Sequence, residues 1–200
     1  MGEKRIAVLV SGGGTNLQAL IDAQRSGALH SGVLSLVVAD RSGIRAIERA
    51  QEADIACAVI PRREADFEER VLQALAHYQI DMVVLAGFLG ILSADFIARF
   101  GGPIINVHPS LIPAFCGRGF YGLRVHQAAL DYGVKVTGAT VHYVNEVPDG
   151  GKILLQRAVD IQADDTAETL QRRVMEQAEW QLLPQAAEQV ARALLRADPV

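Results

Sequence analysis

Five short runs of apolar, mostly branched residues constrain this chain more than any other feature. They lie at 5–10, 33–39, 56–60, 82–86 and 104–107, and none shows strict polar alternation. A strand without alternation is buried on both faces, as in a parallel sheet covered by helices on each side. Helical spacing fills the intervals, at 17–23, 44–53 and 61–78, where Phe67, Val71, Leu72 and Leu75 fall on one face. Strand and helix in turn predict βαβ units and an α/β fold. A chain of 200 residues, half of them hydrophobic, suits a single domain over 1–200 with one substantial core.

The first run ends in Ser11-Gly12-Gly13-Gly14-Thr15-Asn16, and a helix follows. The open N–H groups and positive dipole end of a helix start favour an anion, so Gly14, Thr15 and Asn16 are candidate phosphate ligands. The loop is no P-loop, because Gly-Lys-Ser/Thr is missing, and no dinucleotide fingerprint, because Leu17 stands at the third glycine position. A tight strand-to-helix turn would also call for glycine. Asp40, after the second run, could hold a nucleotide ribose in an NAD enzyme, but a turn role is the better reading.

The fifth run continues as Asn106-Val107-His108-Pro109-Ser110-Leu111. Residues two apart on a strand share a face, so Asn106 and His108 reach one spot before Pro109 turns the chain away. In open α/β sheets that spot, beyond the carboxyl ends of the strands, is where ligands bind. A loop with three glycines follows to 123; it is either a mobile lid over the site or an inert excursion. Next come a helix near 125–131 and a strand at 135–144, on which Thr140 and His142 share a face. The Pro148-Asp149-Gly150-Gly151 turn leads into a strand at 153–159, and the two strands should pair antiparallel. Ser93 is the expected N-cap of a brief helix. Asp165 with Glu168 reads as a capping box, and Pro184 should break or kink the terminal helix before a last turn-rich stretch ending at Leu195.

A net charge of −4 offers no field for general nucleic-acid binding. Cys57 and Cys116 have no paired or metal-ligand spacing, and the histidines are equally scattered, so no metal is expected. The N-terminal apolar run is too short for a secretory or membrane segment, and a cytoplasmic protein with no membrane partner is the expectation.

Taken together, Ser11–Asn16, Leu85-Ala-Gly-Phe88, Asn106-Val-His-Pro-Ser-Leu111, Gly138-Ala-Thr-Val-His142 and Asp149-Gly-Gly151 occur in an order and spacing that resemble the phosphoribosylglycinamide formyltransferases. These form the purine-synthesis branch of the formyltransferase superfamily, and the resemblance runs from Arg5 to about Leu194. It implies a mostly parallel, doubly wound (Rossmann-like) sheet with an antiparallel C-terminal strand pair. It also implies formyl transfer from 10-formyltetrahydrofolate, as co-substrate, to the amine of glycinamide ribonucleotide. Asn106, His108 and Asp149 would be catalytic, with Thr140 or His142 supporting them. Glu179 would join Gly14, Thr15 and Asn16 around the phosphate and ribose, with Met175 beside them. Arg63, Leu89, Gly90, Ile91, Leu92, Asn145, Glu146 and Val147 would line the folate side. The partners would be small molecules only, and the protein a monomer or homodimer.

The chain departs from the family pattern in four places. Gly90 stands where relatives often carry a basic residue, and Arg63 fits its expected place only with a one-residue shift. The loop after Pro113 is several residues longer than in the shortest relatives. Glu179-Trp180 follows an apparent one-residue insertion. Three other readings stay open. A formyltetrahydrofolate deformylase would use the same trio with water as acceptor, although its relatives usually carry a further N-terminal domain. A methionyl-tRNA formyltransferase would need a C-terminal domain and a basic tRNA surface. An NAD-dependent dehydrogenase would use Gly12, Gly14 and Asp40.

Overall fold

The computed structural model describes residues 2–197. Seven strands form one sheet in the order β3-β2-β1-β4-β5-β6-β7. They are β1 (Lys4–Val10), β2 (Gly32–Ala39), β3 (Ala56–Val59), β4 (Met82–Leu85), β5 (Ile104–His108), β6 (Val136–Tyr143) and β7 (Ile153–Asp160). The first five are mutually parallel; β6 runs antiparallel to β5, and β7 antiparallel to β6. This is the doubly wound sheet with an antiparallel C-terminal pair that the sequence predicts.

Both faces of β1, β2, β4 and β5 are largely buried, which explains the missing alternation, while the edge strand β3 is only half-buried. On one face α1 (Thr15–Arg25), α2 (Arg45–Glu52), α6 (Ala167–Val174) and α7 (Trp180–Ala197) bring Leu17, Leu20, Leu170 and Leu183 against Ile6, Val8 and Met82. On the other, α3 (Phe67–His77) and α4 (Ala94–Phe100) bring Phe67, Val71, Leu75 and Phe96 against Ala7, Leu9 and Val83. Phe96 is fully buried, and burying an aromatic of that size contributes roughly 1.5–3 kcal/mol. The remaining helix, α5 (Leu123–Tyr132), follows the long loop and packs beside α6. No helix among the described residues is long and apolar enough to cross a membrane.

Three local expectations are corrected. Helix α3 begins at Phe67 and not at Pro61. The Ile60 and Arg62 N–H groups bond to the Ala39 and Asp40 carbonyls, so this stretch prolongs the sheet edge instead of coiling. The cap of α6 is Thr166 with Thr169, one residue later than expected. Asp165 instead accepts from the Gln162 N–H and the Thr169 hydroxyl and pairs with Arg173, which holds its carboxyl down at about 2. Pro184 does not break α7. The irregularity lies just upstream, in a π turn over Met175–Glu179. Pro184 lies downstream of that turn, buried within α7.

Candidate active site

Because β1, β4 and β5 run parallel, their carboxyl ends open on one edge, and a cleft of about 750 Å³ lies there. Pockets of roughly 300–1,000 Å³ hold small ligands and cofactors. The glycine loop lines one part and the end of β5 another.

Register builds the reaction corner. In the β5–β6 ladder Asn106 lies opposite His142, and His108 opposite Thr140. The His142 Nδ1 faces the Tyr143 carbonyl at 2.8 Å and must therefore carry the hydrogen. In the neutral ring Nε2 is then an acceptor, and it meets the Asn106 amide nitrogen at 3.2 Å. That contact orients the Asn106 amide. The Pro-Asp-Gly turn brings Asp149 in at φ 56, a left-handed conformation that aspartate tolerates better than most residues. Asp149 lies 3.5 Å from both His108 Nδ1 and His142 Nε2. The amide, imidazole and carboxylate thus share one corner of the cleft, with His108 and His142 almost fully withdrawn from water.

Burial lowers the His108 pKa, and the nearby Asp149 carboxylate and the Phe115 carbonyl only partly restore it. The ring is therefore mostly neutral at pH 7 while two oxygens stand ready to stabilise its cation. Burial would raise Asp149, but the histidines and the Gly117 N–H outweigh it and keep the carboxyl below its ordinary value.

The second corner forms where α1 starts. Gly14 adopts φ 71, and a Cβ there would lie 2.8 Å from Ala46, so only glycine fits. This cap has no side chain to take the first-turn donors, and no acidic residue sits in that turn. The helix start is left open to an external anion. Asn16 donates to Glu179 at 2.7 Å; its Oδ1 is buried with no hydrogen-bond partner among the described residues. Burial lifts the Glu179 carboxyl to about 7 against that single hydrogen bond. Glu179 closes the π turn, and such a turn is how an α-helix absorbs one extra residue. The apparent insertion before Trp180 therefore leaves Glu179 facing the cleft with Met175.

Leu89, Gly90, Ile91, Leu92, Asn145 and Val147 line the remaining wall. Two expected residues do not. Arg63 and Glu146 are exposed and lie outside the lining. Arg62, although exposed, lines the cleft where Arg63 was expected to. Its stem lies across Gly90, where a Cβ would meet the Arg62 Cδ at 3.0 Å, and it approaches Asp40 at 3.6 Å. Asp40 itself is buried, accepts from the Ser11 hydroxyl and pairs with Arg41, so no carboxylate is left for a ribose. Thr140 lies beside His108 in the ladder, but its hydroxyl bonds to the Ser110 carbonyl and the Ile112 N–H and not to the trio. Sequence reading missed Arg62, Arg118, Gln171 and the main-chain groups of Phe115 and Gly117. Arg62 had a signal, being adjacent to the residue chosen, but the main-chain groups had none. Among the described residues no group of three His, Cys, Asp or Glu is disposed to hold a metal ion.

Sheet, helix start and the Asn–His–Asp corner together define an α/β protein whose strand ends carry one polar cleft. Residues 4–187 match the formyl transferase family, and the chain belongs to it. It is 39% identical to the phosphoribosylglycinamide formyltransferase of Haemophilus influenzae, over 90% of this chain and 84% of that one. It is 40% identical to the human trifunctional purine biosynthetic protein adenosine-3, over 94% of this chain but only 18% of that much longer protein. The crystal structure of glycinamide ribonucleotide transformylase 1 from Symbiobacterium toebii superposes with a TM-score of 0.88 at 36% identity, covering 96% of this chain and 89% of that one. The Brucella melitensis phosphoribosylglycinamide formyltransferase superposes with a TM-score of 0.85 at 38% identity, covering 100% and 98%.

Proposed function

We propose that the protein transfers the formyl group of 10-formyltetrahydrofolate to the amine of glycinamide ribonucleotide, a step of purine synthesis. The observation that carries this reading is the single cleft joining an uncapped helix start to the Asn106–His108–Asp149 corner. A phosphate on the N–H groups of Gly14, Thr15 and Asn16 anchors the nucleotide, and Glu179 takes its ribose hydroxyls. The amine then reaches the formyl carbon at the other corner.

Attack by the amine makes a tetrahedral centre with an oxyanion, which the second Asn106 N–H stabilises. The amine loses one proton and the departing folate nitrogen gains one, so the exchange balances. His108, neutral at rest, carries that proton, and Asp149 stabilises the imidazolium in between. Leu89, Gly90, Ile91, Leu92, Asn145 and Val147 receive the folate, with Arg62 at its anionic end. Both partners are small molecules, the reaction is taken as cytoplasmic, and the working unit as a monomer or homodimer. The deformylase alternative makes no use of the helix-start site, since water needs no anchor.

The test compares glycinamide ribonucleotide with its dephosphorylated riboside as formyl acceptor. A kcat/KM at least ~100-fold lower for the riboside is expected from loss of a charged anchor. Equal values for the two acceptors would remove the phosphate site from the reading.

A further inference from the structure

The loop between β5 and α5 is tied down more firmly than a mobile lid. The Ser110 hydroxyl donates to the Ala114 carbonyl at 2.6 Å. Thr140 Oγ1 donates to the Ser110 carbonyl at 2.7 Å, accepts from the Ile112 N–H at 3.1 Å and accepts from the Gln156 amide at 2.9 Å. Gln156 also donates to the Ile112 carbonyl at 3.0 Å. Ser110 and Thr140 are fully buried, and that hydroxyl's bonding capacity is used up.

From this base the chain turns through Phe115 at φ 48 and Gly117 at φ 88. The turn presents two main-chain groups of opposite kind. The Phe115 carbonyl accepts from His108 Nε2 at 2.9 Å, and the Gly117 N–H donates to Asp149 Oδ2 at 2.8 Å. By contrast, His108 and Asp149 stand 3.5 Å apart, too far for a strong hydrogen bond. The pair does not hold itself. The loop holds each member separately.

We propose that residues 110–117 form a main-chain strap that positions His108 and Asp149, with Thr140 and Gln156 as positioning residues acting through its base. The activity arm of this proposal rests on the formyl-transfer reading. The strap supplies an acceptor for the imidazolium and a donor for the carboxylate, each from rigid backbone, so neither group reorganises as charge moves between them. The ionisable groups facing Asp149 are His108 from β5, His142 from β6 and Cys116 within the strap. Behind His108 lies His126 of α5, fully buried, with neither ring nitrogen partnered among the described residues.

The test uses Thr140→Val, Thr140→Ser and Gly117→Ala in the full chain. A Cβ at Gly117 would meet no atom within 4 Å, so that substitution acts through its strained φ alone. Turnover should fall about 10–100-fold in Thr140→Val and Gly117→Ala with the nucleotide KM unchanged, the scale of a small misplacement of reacting groups. Thr140→Ser should restore it. The acidic limb of the kcat profile should move to higher pH as Asp149 loses a donor. The His108 ring, followed by NMR without substrate, should titrate at lower pH as it loses the Phe115 carbonyl. Folded variants whose limb and ring titration match the wild type would overturn the strap, even if turnover fell. If Thr140→Val does not fold, Gly117→Ala decides alone. A wild-type protein inactive with both substrates would instead overturn the formyl-transfer reading and leave the NMR arm standing.

Discussion

Asp149 and Glu179 stand at two corners of one cleft, both largely withdrawn from water, and they ionise in opposite senses. Asp149 meets two imidazoles and a main-chain N–H, which hold its carboxyl low despite burial. Glu179 meets one amide, from Asn16, and burial carries it up to about 7. The difference teaches that the polar and chargeable groups facing a carboxylate decide its state here; burial is common to both. It also divides the labour of the proposed reaction. One corner keeps a permanent anion where a proton must travel. The other keeps a carboxyl poised near neutrality where hydroxyl groups are to be read.

The largest expected effect falls on the low corner. Asp149→Asn and His108→Ala should each lower turnover at least ~100-fold, the usual scale for one acid–base or oxyanion group. Steady-state assay with both substrates checks this, and near-normal turnover in either variant removes that residue from the mechanism.

Next in size is the pH dependence of stability, which should take opposite signs at the two corners. Glu179 has its folded pKa raised to about 7 from 4.5. Its contribution is present in full below 4.5 and fades as pH rises through about 7. Relative to Glu179→Gln, the wild type should lose at most about 3 kcal/mol over that window. Asp149 has its folded pKa lowered below 3.8. Its contribution is present above 3.8 and fades as pH falls through the lower folded value. Denaturant midpoints across pH for wild type, Glu179→Gln and Asp149→Asn measure both slopes. Parallel curves would break the comparison.

A smaller change sharpens it. Asn16→Ala removes the one donor Glu179 has, so that carboxyl should titrate above its present value of about 7 in a carbon-13 NMR titration. An unchanged titration would mean that Asn16 is not the controlling donor. The smallest effect is expected at the rim. Arg62→Ala should raise the folate KM by up to about fivefold, as for a partly solvated ion pair, while Arg63→Ala leaves it unchanged. The reverse order would restore Arg63 to the cleft.

Much of this was legible in residue order. Unalternating runs gave the parallel strands, and period-two spacing put Asn106 with His108 and Thr140 with His142 on shared faces. The Asp149 turn forecast the antiparallel pair. What escaped had a physical reason in each case. Arg62 and Arg63 are adjacent, and residue order alone does not say which of them lines the cleft. Thr140 shares a face with His142, yet its hydroxyl serves the loop through Ser110 and Ile112. Asp165 makes no cap because Arg173 and the Gln162 N–H engage it. The Phe115 and Gly117 contacts are made by main chain, which every residue carries alike, so no side-chain pattern announces them.

The central claim is that one cleft couples a phosphate-anchored amine to the formyl-handling corner. It is tested most directly by the rate at which 10-formyltetrahydrofolate loses its formyl group with and without glycinamide ribonucleotide. The account predicts little loss until the nucleotide is added, then stoichiometric appearance of the formylated nucleotide. Equal rates in its presence and absence, with formate as the product, would contradict it.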